Sequence, residues 1–152
     1  MLNYDYAQDG IYFITVCTRN RYHHFGKIGG AAMLLSDLGM IAEKQILWLA
    51  EQYPYVEMHN FVVMPNHVHL LLEIDRSNVK DEEMKIKTVS SLMGAYKTTT
   101  SKQIHLLGNA DFEWHRSFHD HIVRSHAAYE NIYDYITKNP ANWDKEKFKD
   151  EE

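Results

Sequence analysis

Hydrophobic and polar positions fall into blocks along this chain, and the period within each block predicts an element. Residues 11–18, IYFITVCT, are mostly β-branched or aromatic and carry apolar side chains on both alternating faces, the pattern of a buried strand. From Ser36 onward, Leu38, Ile41, Ala42, Ile46, Leu47 and Leu49 recur at helical spacing to about Glu51, so Ser36 reads as the cap of a first helix. Two apolar strand-like runs, Val56–Met64 and His67–Ile74, are parted by Pro65-Asn66 and are expected in the centre of a sheet. Asp75 to Lys87 has no apolar period and reads as a solvated loop. Val89, Leu92, Met93, Tyr96, Thr100, Ile104 and Leu107 then mark one face of a long second helix, with Thr88 as its cap. Phe112 to Val123 mixes aromatic residues with His and Arg, compatible with a strand pair or an extended loop. Ser125 opens a third helix whose inward stripe is Ala128, Tyr129, Ile132 and Ile136. Asn139-Pro140 stops it, because a residue before proline is disfavoured in helical geometry. This order favours an antiparallel sheet with helices packed on one face, an α+β sandwich of ferredoxin-like kind.

Length and composition narrow the class. A chain of 152 residues has the size of one domain. Residues 1–143 are expected to form it, with 144–152 as a short acidic tail. Hydrophobic and charged contents of 45% and 24% are those of an ordinary soluble globular protein, and no run is long enough to span a bilayer. The start MLNYDYAQDG shows no basic region followed by an apolar stretch, so a cytoplasmic location is expected. The single cysteine, Cys17, lies in an apolar alternating run and reads as core rather than nucleophile. A formal net charge of -5 argues against a sequence-blind DNA coat, which would draw on many cation–phosphate contacts. Acidic residues gather in Asp81-Glu82-Glu83 and in the tail, away from the candidate site, which leaves room for a local positive groove.

Three groups of residues carry candidate chemistry. In His67-Val68-His69, residues two apart on a strand point to the same face, so two imidazoles converge while Val68 and Leu70 anchor the strand from behind. Such a pair suits a divalent metal with coordination positions to spare, and equally describes two half-exposed strand histidines. Tyr135 and Asn139 are four apart on the third helix and share a face other than its inward stripe. A phenol there can act as a nucleophile beside a metal, and an amide oxygen can complete the coordination; core packing and helix termination are the alternatives. Arg19, Arg21, Lys97, Arg116, His121 and Arg124 could hold phosphates, with Tyr22, Trp114 and Phe118 as stacking platforms for unpaired bases. Those same aromatics would also serve simply to cover the sheet edge.

Taken together, these pieces resemble the HUH single-tyrosine transposase family, which includes the insertion-sequence TnpA enzymes and the REP-associated tyrosine transposases. The resemblance runs from Tyr4 to Trp143. YFITVCT at 12–18 is similar to the first family strand, FVVMPNHVHL at 61–70 to the HUH strand, and HIVR at 121–124 with YITKNP at 135–140 to the segments that lead into and close the catalytic helix. The resemblance implies that His67 and His69 are metal ligands, Tyr135 the nucleophile and Asn139 the third protein ligand, with magnesium or manganese as the ion. It further implies that single-stranded DNA containing hairpins is cleaved and rejoined through a 5′-phosphotyrosine link, without a nucleotide cofactor, by a homodimer. Two other classes stay open: a hairpin-DNA binding or regulatory protein that does not cut, and a metal-dependent phosphohydrolase.

Overall fold

In the computed structural model, which describes residues 9–81 and 83–146, the chain runs through β1 (Gly10–Cys17), β2 (Gly26–Gly29), β3 (Ala32–Leu35), α1 (Asp37–Gln52), β4 (Val56–Met64), β5 (His67–Ile74), α2 (Val89–Leu106), β6 (His119–Val123) and α3 (His126–Lys138). Residues 1–8 and 147–152, on which the leader and most of the acidic-tail expectations fall, lie outside the described residues. The main sheet is antiparallel, in the order β4-β5-β1-β6. All three expected caps are made: Ser36, Thr88 and Ser125 each accept a hydrogen bond from the backbone N–H three residues on, at 3.1 Å. The fold is the α+β class that the periodicity predicts, but its helices lie on both faces of the sheet rather than one, with α1 and α2 on one side and α3 on the other.

Strand register sorts the side chains onto two faces. Val16 pairs with Val68, Ile14 with Leu70 and Tyr12 with Leu72, and all six are fully buried on the first face. There they meet Ala42, Ile46 and Leu49 of α1 and Leu92, Met93, Tyr96 and Ile104 of α2 in one apolar core. The Tyr96 hydroxyl donates to the Ala42 carbonyl at 3.0 Å, joining the two helices through the one polar atom this ring brings inside. The alternate residues, Phe13, Thr15 and Cys17 opposite Leu71, His69 and His67, form the second face, and α3 lies across it against β4 and β5.

Three local expectations change. β4 is an edge strand, not a central one, because Pro65-Asn66 closes it onto β5 as a tight hairpin and the far side of β5 is taken by β1. The hairpin of β2 and β3 has no forecast in the apolar pattern, since the short run GKIGGAAMLL scarcely alternates; it turns through Gly30 and Ala31, both with positive φ (59° and 62°). Within Phe112–Val123 only His119–Val123 is a strand, preceded by a single bridge from Trp114 to Thr18. No helix among the described residues is long and apolar enough to cross a membrane.

Candidate active site

The two histidines are fully buried, which removes the half-exposed alternative. Each is oriented through its Nδ1. For His69 the partner is the hydroxyl of Thr15, its cross-strand neighbour, at 2.8 Å; for His67 it is Asn66 Oδ1 at 2.7 Å. The Asn66 amide is itself held, since its Nδ2 donates to the Arg21 carbonyl at 3.2 Å, and that carbonyl is presented by a turn in which Asn20 and Arg21 take left-handed φ of 57° and 58°. Because Asn66 Oδ1 can only accept, His67 Nδ1 carries the proton and its Nε2 is left with a lone pair aimed inward. Burial holds the His67 pKa well below the ordinary imidazole value, and the nearby His69 and Arg21 add to this. The two Nε2 atoms lie 3.1 Å apart.

Tyr135 and Asn139 come to this point from α3, one helical turn apart. The Tyr135 ring packs edge-on against His69 and Phe13, at centroid distances of 5.3 and 6.1 Å. Ile136 is the fully buried residue that seats the helix, and Asn139 is its C-cap, also buried. Beyond it the chain folds back. Asn142 N–H donates to the Lys138 carbonyl and Glu146 N–H to the Trp143 carbonyl across a short 3-10 turn, and the Trp143 ring stacks over His67 at 6.4 Å and 20°.

This return places Glu146 in the middle of the group. Its Oε2 accepts from the Tyr135 hydroxyl at 2.5 Å and from Asn139 Nδ2 at 2.6 Å, and lies 3.6 Å from His69 Nε2. The charged run from Asp144 predicts a tail remote from the site; instead, two consecutive backbone turns reverse the chain after Pro140 and bring Glu146 into it. Burial raises the Glu146 pKa, but its contacts with His69, Tyr135 and Asn139 outweigh burial and hold it well below the usual carboxylate range. Burial and the bonded carboxylate together push the Tyr135 phenol above its ordinary value.

The residues fit a divalent ion. Nitrogens of His67 and His69 and a carboxylate oxygen of Glu146 lie within 4.8 Å of one another, all buried. Neighbouring ligands of a six-coordinate ion with bonds of about 2.1 Å are roughly 3 Å apart, close to the Nε2 separation found here. Asn139 Oδ1 is buried and makes no hydrogen bond, a state that proteins rarely tolerate without a further partner. A cavity of about 690 Å³ opens onto the cluster, bordered by Phe13, Phe118, His119, His121 and Lys145.

Of the residues proposed to hold DNA, His121 lines this cavity, edge-on to Phe13. Arg21 is beside the site through its backbone and its charge on His67. Arg19 is in an exposed ion pair with Glu113 at 2.9 Å. Arg124 borders a separate hollow at the start of α3, and Lys97 and Arg116 border another beside α2, so the six residues do not line a single hollow. Trp114 is not a stacking platform: it is buried in the core against Phe25, Tyr96 and Phe112. Tyr22 is exposed and Phe118 borders the cavity.

The antiparallel sheet presents a buried histidine pair to a helix-borne tyrosine, and comparison with known proteins gives the family of the chain. Residues 8–139 match the family model described as "Transposase IS200 like", and the chain belongs to that family. It is 29% identical over 157 residues to an uncharacterized protein of Haemophilus influenzae, covering 95% of this chain and 87% of the relative. Among solved structures it is similar in fold to a REP-associated tyrosine transposase bound to a REP hairpin, with TM-score 0.65 and 24% identity over 93% of this chain and 73% of that one. A candidate transposase from Deinococcus radiodurans is a second structural relative, with TM-score 0.53 and 17% identity over 90% and 95% of the two chains.

Proposed function

We propose that this chain cleaves and rejoins single-stranded DNA containing hairpins, with Tyr135 as the nucleophile. The observation that carries the reading is the meeting of the Tyr135 ring with His69 inside one chain, at 5.3 Å, so that a single subunit assembles the whole cluster. Tyr135 Oη attacks the phosphorus, the tyrosyl O–P bond forms, and the bond to the 3′-oxygen breaks, leaving a 5′-phosphotyrosine and a free 3′-hydroxyl. A second 3′-hydroxyl reverses the step and releases the tyrosine. Because the phenol is held neutral, its proton passes to Glu146 Oε2, which it faces, as the bond forms, and the departing 3′-oxygen takes up a proton from solvent to become the hydroxyl. Thr15 and Asn66 keep the imidazoles from rotating, and Phe13 and Phe118 supply aromatic surface at which an unpaired base can stack. Magnesium or manganese held by His67, His69 and Asn139 would supply charge neutralisation and polarisation of the phosphate. A REP hairpin in the structural relative supports the choice of a hairpin-containing substrate.

The test is covalent capture. A pool of labelled hairpin-containing single strands is incubated with the protein and manganese, then denatured; label is expected on the protein, lost in Tyr135→Phe and kept in Tyr129→Phe and Tyr133→Phe. Adduct persisting in Tyr135→Phe would place the nucleophile elsewhere. Free cleavage products without adduct would favour a phosphohydrolase, and DNA retention without cutting a binding protein.

A further inference from the structure

We propose that Glu146 is a ligand of the divalent metal at His67 and His69, and that the same carboxylate holds Tyr135 beside that metal. The inference rests on the metal-assisted reading above and assigns a role to a residue that the resemblance leaves unused. Three observations carry it.

The first is geometry. The Glu146 side chain is completely shielded from solvent, as is that of His69, and its oxygen belongs to the same close group as the two imidazole nitrogens. The second is the state of Asn139. Its Nδ2 points at the carboxylate, as it must to meet an anion, so this amide bonds Glu146 through nitrogen while its oxygen stays without a hydrogen bond. Asn139 thereby positions the carboxylate. The third is chemical. Magnesium and manganese are hard ions that favour oxygen donors, and two neutral imidazoles with a neutral amide would offer them no anionic ligand. A carboxylate provides one, and the cation in turn offsets the cost of burying that charge.

The turn that follows α3 is built to deliver it. Trp143 N–H donates to the Pro140 carbonyl and Lys145 N–H to the Asn142 carbonyl, so the chain from 140 to 146 is tied step by step, with the Trp143 ring clamped against His67 and His23. One carboxylate oxygen then joins two functions: it faces the histidines, and it receives the Tyr135 hydroxyl. Metal occupancy and nucleophile position are linked through it.

Manganese binding to the full-length metal-free protein, measured by calorimetry and by the electron paramagnetic resonance spectrum of the bound ion, tests this without relying on activity. Glu146→Gln is expected to weaken manganese affinity at least about tenfold and to alter the spectrum, with Glu146→Asp recovering part of the loss. Wild-type affinity and spectrum in Glu146→Gln, alongside loss of binding in the His67→Ala, His69→Ala double variant, would overturn the proposal and leave the metal-assisted reading intact. Unchanged affinity in the double histidine variant would sink both. If Glu146→Gln lowers the melting midpoint, Glu146→Asp and Glu146→Asn, equal in size and different in charge, decide instead: tighter binding by the Asp variant supports the proposal and equal binding refutes it.

Discussion

The two faces of the central sheet are made by the same strands and are equally dry in places, yet they do different work. On the first, Tyr12, Ile14, Val16, Val68, Leu70 and Leu72 meet two long helices in a mostly apolar core, in which the Tyr96 hydroxyl is held by the Ala42 carbonyl. On the second, His67 and His69 are as buried as Leu70, but each needs a dedicated partner, Asn66 and Thr15. Burial of apolar surface stabilises without regard to direction, whereas a buried imidazole is tolerated only in the orientation its partner allows. The first face therefore holds the fold, and the second aims side chains. The helices reflect this: α1 contributes Ala42, Ile46 and Leu49 to its interface, and α3 contributes one fully buried residue, Ile136.

The sharpest way to test the contrast is to truncate one residue on each face. Leu70→Ala removes a fully buried side chain from the first face and should cost about 2–5 kcal/mol of unfolding free energy, measured by urea denaturation. Thr15→Val on the second face keeps the shape and leaves the His69 Nδ1 atom without its hydroxyl, for a smaller cost of about 1–3 kcal/mol. The loss of manganese affinity should be disproportionate, at about 10–100-fold, because the imidazole is no longer oriented. Equal stability losses with unchanged metal affinity would erase the distinction between the faces.

A smaller effect should appear with pH. His67 is held neutral in the folded chain with its pKa below 6.5, while in the unfolded chain it titrates near that value. Between the two values the unfolded chain binds more protons, so the stability of the metal-free protein should fall as pH drops below about 6.5. The slope from this one group is at most about 1.4 kcal/mol per pH unit. Thermal melts in chelator across that window should show a shallower slope in His67→Gln; an identical slope would mean that other groups govern the acid limb.

What the sequence determined by itself is whatever depends on a side chain's direction relative to its own backbone. Period-two spacing put His67 and His69 on one face and Val68 and Leu70 on the other, period-3.6 spacing put Tyr135 and Asn139 together, and Ser36, Thr88 and Ser125 announced their helices. What only the tertiary structure decided is which elements meet. Trp114 has the composition of a base-stacking residue and is core, because the bridge to Thr18 turns its segment inward. Lys97 and Arg116 border a hollow beside α2, apart from the histidines, a separation that no local period reveals. Glu146 was invisible because an acidic residue in a charged run carries no local period. Its burial comes from backbone turns that reverse the chain after Pro140, and its partners lie on a helix and a strand whose approach no single segment encodes.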